Sequence, residues 1–255
     1  MESESQGSRL NQLSTAWSDI RRARDGTSPA AADARRVLLE RYGKAVKRYL
    51  HGALRREPEA AEELAQEFAL RFLRGDLHGA DPQRGRFRDF LRIAALNLIN
   101  DYRRRSRSRH LVQRTEALEP VAPRDKADEP DAEFLQSWRR ELFSRAMASL
   151  DAYQRRTGRP YHDLISLRTA EPQPSSAQMA AALSARLGKP VSDGWVRQTL
   201  RRARECLADL LLDEVSISLE GCSIEELEQE LIILDLLDYC RASLRRRARW
   251  NRAAD

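Results

Sequence analysis

FRDFLRIAALNLINDYRRRSRSR, residues 87–109, begins as an apolar-striped helix and ends as a nearly pure arginine run. Ten Arg lie between Arg84 and Arg114, against only Asp89 and Asp101. That density costs self-repulsion unless a polyanion neutralises it, and a phosphate backbone is the usual one. At 100° per residue, Phe87, Phe90, Leu91, Ala94, Leu98 and Tyr102 are expected to face inward. Arg92, Asn100 and Arg103 are expected outward, with Asn97, Asp101 and Arg104 on the flank. Arg suits phosphate oxygens and Asn suits base edges.

The rest of the chain reads the same way. It has 255 residues, 41% hydrophobic and 33% charged, with a net charge of +6 and a pI near 9.5. Such a composition suits a globular protein large enough for two domains. Ala, Leu, Glu and Arg dominate and strand-type alternation is missing, so an all-α fold is expected. The amino-terminal MESESQGSRLNQ has no apolar core, so no signal peptide is expected. The longest apolar run, 231–237, is broken by Asp235 and too short to span a bilayer, which points to a cytoplasmic protein without a membrane partner. Cys206, Cys222 and Cys240 lie far apart with no His at metal spacing, so neither a metal nor a cofactor is expected.

Helices are predicted over 15–24, 29–56 and 59–74, followed by a Gly-containing loop and the basic helix. Together they make a first domain over 14–110. Residues 115–133 hold seven acids against Arg124 and Lys126, with Pro120, Pro123 and Pro130, so 111–133 reads as a flexible acidic linker. A second helical domain is expected over 134–213, broken in the middle by Gly158, Pro160, Pro172 and Pro174. A carboxy-terminal helical extension over 214–255 starts at Ser223, which with Glu226 fits a capping box.

On the helix over 59–74, Ala61, Leu64, Ala65, Phe68 and Phe72 form the core side. The opposite side shows Glu63, Gln66, Glu67, Leu70 and Arg74. An exposed Leu ringed by acids and amides is the composition of a protein-docking face, and equally of a solvated face with one stray Leu. In the second domain, Ser176–Leu187 is amphipathic through Met179, Ala180, Leu183 and Leu187. Gly188 to Val191 break it, and Ser192 or Asp193 can cap the next helix, from Asp193 to about Asp213. That helix has Val196, Leu200, Ala203, Leu207 and Leu210 at core spacing. Trp195, Arg197, Gln198, Arg201, Arg202 and Arg204 lie nearer its start. A second helix with basic and amide residues at its beginning is the geometry that enters a major groove. No nucleophile–base pair or Walker sequence is visible, so no catalytic residues are expected.

These segments resemble the bacterial RNA polymerase sigma factors of the extracytoplasmic-function type, which retain only regions two and four. Ala61 to Phe68 is similar to the acidic helix A-E-D-L-x-Q-E-x-F of region two. Phe87-Arg88-Asp89-Phe90-Leu91 with Ala94, Asn97, Leu98 and Asp101 is similar to F-R-x-W-L…A-R-N-L-x-x-D, with Phe90 for the usual Trp and Leu96 for the usual Arg. Asp81 to Phe87 resembles D-P-x-R-G-R-F, which recurs in a planctomycete branch. Leu187-Gly188 and Gly194 through Arg204 resemble region four, with about two extra residues in the turn and Trp195 where Thr is common.

The resemblance implies a non-enzymatic specificity subunit with core RNA polymerase and promoter DNA as partners. Glu63, Gln66, Glu67 and Leu70 would dock on polymerase. Arg88, Arg92, Asn97, Asn100, Arg103 and Arg104 would read and melt the minus-ten element. Trp195, Arg197, Gln198, Arg201 and Arg202 would contact the minus-thirty-five element. The extension is expected either to pack on region four or to bind an anti-sigma or other regulatory protein, or a second copy. A helix-turn-helix regulator that never touches polymerase is the competing reading; it leaves the acidic face with Leu70 unexplained.

Overall fold

The computed structural model describes residues 22–23, 28–76, 86–113, 128–170, 174–219 and 223–254. Every regular element among them is an α-helix, as composition required: α1 Pro29–Ala53, α2 Pro58–Arg74, α3 Phe87–Gln113, α4 Asp128–Thr157, α5 Tyr161–Thr169, α6 Ser176–Leu187, α7 Asp193–Ile217, α8 Ile224–Ile233 and α9 Leu237–Ala254. None is long and apolar enough to cross a membrane. Of the helix expected over 15–24 only 22–23 are described, and they are helical; the rest of it and most of the linker lie outside the described residues.

The described residues form two compact units. The first runs to Glu141 and includes 217–219; the second takes 142–216 and 223–254. In the first, Ser28 caps α1 by accepting from the Ala31 N–H, with Pro29 next in the chain. Leu38, Tyr42, Val46, Tyr49 and Leu50 of α1 are buried with Leu64, Phe68 and Phe72 of α2 and Phe87, Leu91 and Leu98 of α3. Glu62 on α2 ties back to α1, 2.8 Å from Lys47 Nζ and 3.3 Å from His51 Nε2. Those two hydrogen bonds, Lys47 first, hold its carboxyl below the usual range.

Gly75 ends α2 in the left-handed region at φ 84°, which favours a residue without Cβ. An added Cβ would come within 3.0 Å of Arg35 Nη1, whose guanidinium donates to the Ala23 carbonyl at 2.8 Å. Gly75→Ala is expected to cost about 1 kcal/mol and lower Tm by roughly 4–8 °C in a thermal melt.

The start of α4 corrects the expected linker and domain boundary. Residues 128–133 are helical, and Phe134 to Glu141 belong to the first unit. Trp138, 1% exposed, stacks on Tyr42 at 4.9 Å, and Phe134 meets Tyr49 edge-on at 5.3 Å. Arg48 donates to the Ser137 carbonyl at 2.9 Å and lies 3.4 Å from Glu141. Pro130 falls in the first turn of α4, where a missing N–H breaks no helical hydrogen bond, and two aromatic side chains buried on α1 anchor the segment that follows.

In the second unit, Leu142, Ala146 and Leu150 continue the buried side of α4. Arg145 reaches Glu214 of α7 at 2.9 Å, and Tyr153 stacks on Tyr161 of α5 at 5.7 Å. The stretch expected to be broken thus contains a short helix, α5. Gly158 and Pro160 mark its leading edge rather than forbidding it. α6 begins with a capping box between Ser175 and Gln178 and ends on Gly188 at φ 63°.

The extension, read as one helix, is two. The capping box of Ser223 and Glu226 opens α8. Asp235 then takes φ 53° and turns the chain before α9. Leu227, Leu231, Leu234, Leu236, Cys240 and Leu244 are all buried, and Arg246 and Arg247 of α9 grip Asp209 and Asp213 of α7.

Candidate nucleic-acid and polymerase interfaces

Two exposed faces of the first unit gather the residues singled out by sequence. On α2, Glu63, Gln66 and Leu70 stand on one outward row, and Leu70 is 53% exposed. Leu73 extends that row one turn further and is also exposed. Sequence reading missed it, although its i+3 spacing from Leu70 was a usable signal. Glu67 stands apart. It is half-buried, paired with Arg71 on its own helix and 3.6 Å from Arg105 of α3. It therefore cross-links α2 to the basic helix as well as edging the acidic face.

On α3 the inward stripe is rotated from the expected one. Phe87, Leu91, Ala95, Leu98 and Ile99 are buried, whereas Phe90, Ala94 and Tyr102 are half-exposed. The Tyr102 hydroxyl donates a hydrogen bond to the Glu57 carboxylate. The rotation places Asn97, Asn100, Arg103 and Arg104 outward, joined by Ile93, which is 50% exposed. Arg104 sits 3.5 Å from Asp101, an exposed i,i+3 pair of the kind worth little in water and easily given up to a phosphate. Arg92 is half-buried.

Arg88 needs correction. It was expected on the DNA-facing side, yet it is 4% exposed with Nε 3.5 Å from Asp89. A guanidinium so covered has no free donor face for a backbone phosphate. Arg88 stands three residues before Leu91 and seven before Ala95, so the rotation that buries Ala95 and Ile99 covers it as well.

In the second unit, α6 and α7 are joined by a short turn built on serines. Ser184 Oγ donates to the Ala180 carbonyl at 2.8 Å and accepts from the Val191 N–H at 2.9 Å. Ser192 accepts from the Trp195 N–H at 3.2 Å and so caps α7. Met179, Ala180, Leu183, Val196, Leu200, Ala203 and Leu207 make the core between these helices and their neighbours. This leaves Arg197, Gln198, Arg201 and Arg202 exposed on the first turns of α7, with Trp195 half-buried at its start. Arg201 touches Glu205 at 3.1 Å, again an exposed i,i+4 pair.

Among the described residues no group of three or more His, Cys, Asp or Glu is placed to hold a metal ion. The buried Cys240 thiol is pushed up to about 12, by burial first and then by Asp209, with Arg247 opposing; it stays protonated at neutral pH. What the surfaces offer is recognition chemistry: an acidic row with an aliphatic anchor, and two helices carrying Arg with Asn or Gln.

The first unit thus sets an acidic row with an aliphatic anchor on α2 beside an Asn–Arg row on α3. Residues 38–109, from within α1 to within α3, match the family model Sigma-70 region 2. The match supports a sigma-70-type role in polymerase binding and promoter melting. No curated protein and no solved structure matches the chain.

Proposed function

We propose that this chain is an RNA polymerase sigma factor of the extracytoplasmic-function type. In this reading the α2 row of Glu63, Gln66 and Leu70, edged by Glu67, recruits core polymerase. Asn97, Asn100, Arg103 and Arg104 of α3 approach the minus-ten element. Arg197, Gln198, Arg201 and Arg202 of α7, with Trp195, anchor the minus-thirty-five duplex. The observation that carries it is the pairing, inside the region-two match, of an exposed acidic-plus-Leu face with an Asn–Arg row on the neighbouring helix.

The physical logic is a division of labour. Melting unstacks bases at a cost of a few kcal/mol, which capture of the exposed bases offsets. A duplex anchor on the same chain raises the effective concentration of the melting module at the promoter. Neither module alone should then bind promoters well.

The test adds purified protein to sigma-free core polymerase and scores promoter-specific transcripts. Wild type is expected to restore them. The triple variant Glu63→Ala, Gln66→Ala, Leu70→Arg is expected to lose about 2 kcal/mol or more of core affinity, roughly 30-fold. All three side chains are exposed, so the fold should survive. A wild-type chain that binds promoter DNA unaided and ignores core polymerase would replace this reading with that of a polymerase-independent regulator.

A further inference from the structure

The carboxy-terminal helix α9 carries six Arg and one acid, Asp238. Two of the arginines are used inside the second unit. Arg246 Nη2 spans both carboxylate oxygens of Asp209 at 3.0 and 3.2 Å. Arg247 meets Asp213 and donates to Ser216 Oγ at 3.1 Å. These contacts, with buried Cys240, Ser243 and Leu244, fix which side of α9 faces inward.

The opposite side is thereby fixed too. Arg241, Arg245 and Arg249 follow one another at i+4, so they form a straight row that advances about 6 Å per step. All three are exposed. Arg241 has Asp238 at 2.6 Å, while Arg245 and Arg249 have no acidic partner among the described residues. We propose that this row is a further phosphate-contacting surface for duplex DNA, carried on the same unit as α6 and α7. It rests on the reading of those two helices as a DNA-binding pair.

Three considerations favour duplex DNA over other anionic partners. The guanidinium group is the side chain best matched to phosphate oxygens, and a row of like charges is stable only where a polyanion meets it. A protein partner would need a desolvated aromatic or aliphatic anchor between the charges, and the apolar residues flanking the row, Ala242 and Ala248, are too small to supply one. Trp250, although 52% exposed, lies about half a turn away. An anionic membrane would need an apolar face on the same helix to insert, and the inward side is already buried.

The experiment uses the full chain and a labelled duplex of random sequence, with affinity measured across a salt series. Each phosphate contact contributes about 0.9 to the slope of log affinity against log salt. The double variant Arg245→Ala, Arg249→Ala is expected to flatten the slope by about 2, and Arg245→Lys, Arg249→Lys is expected to keep it. Arg197→Ala, Arg202→Ala serves as the comparison on α7. If the α7 pair flattens the slope and the α9 alanine pair does not, the α9 row contacts no phosphate and the DNA reading of α6 and α7 stands. If neither pair changes it, both readings fall. A lysine pair that loses slope as much as the alanine pair would also overturn the proposal, because charge would then not be what matters.

Discussion

Trp138→Ala is expected to remove about 3–5 kcal/mol from the first unit, a large part of the 5–15 kcal/mol that holds an ordinary domain together. The side chain is 1% exposed and lies flat on Tyr42, with Phe134 6.2 Å away on its own helix. Truncation would leave a void against α1 that neighbouring rings cannot fill without leaving their rotamers. In urea the midpoint should fall by about 2 M. Amide protection in α1 should fall with it, since Tyr42 loses the aromatic ring it stacks on. Trp138→Phe should cost much less. The indole N–H is buried and makes no hydrogen bond among the described residues, so only volume is lost. Unchanged protection in α1 after Trp138→Ala would return residues 134–141 to the second domain, where the sequence reading had placed them.

That reversal shows which kinds of information lay open in the sequence. Helix class, the limits of α6 and the start of α7 could be read directly, because each is marked by local chemistry: Gly188 in the left-handed region and Ser192 as a cap. The capping box at Ser223 was legible for the same reason. What escaped depended on tertiary contacts. The acids and Pro130 before Phe134 read as linker, and only packing on Tyr42 and Tyr49 made the segment helical. Gly158 and Pro160 were read as breakers, though a breaker says where one helix ends and not whether another begins.

The candidate faces show the same division. The row Glu63, Gln66 and Leu70 is outward as periodicity demands, since α2 buries a clean stripe. On α3 apolar residues occur on too many sides to fix the rotation. Ile99 went inward and Ile93 outward, and Arg88 was covered. Glu67 was legible as acidic and surface-near, but not as a tie to Arg105, because ion pairs across helices leave no local pattern.

Ending the chain at Gly221 is expected to unfold the second unit, and this separates a structural tail from a detachable one. The cut removes Leu227, Leu231, Leu234, Leu236 and Leu244, all buried, together with Cys240. At about 2 kcal/mol for each fully buried Leu, the loss is on the order of 10 kcal/mol, comparable to the whole stability of a small domain. It also strips Arg247 from Asp213, leaving that aspartate on α7 without a cation it now meets. The truncated protein should show little amide protection in α6 and α7 and should bind duplex DNA more weakly. The milder Arg247→Ala should keep the fold, at a cost of about 1–3 kcal/mol, since it removes the partly buried contacts to Asp213 and Ser216 and leaves the leucines in place. A detachable regulatory tail predicts the opposite: α6 and α7 would keep their protection after the cut, and duplex binding would fall only by what Arg245 and Arg249 contribute. Six buried apolar side chains make that second outcome the one the packing opposes, and finding it would mean that α6 and α7 hold together without α8 and α9.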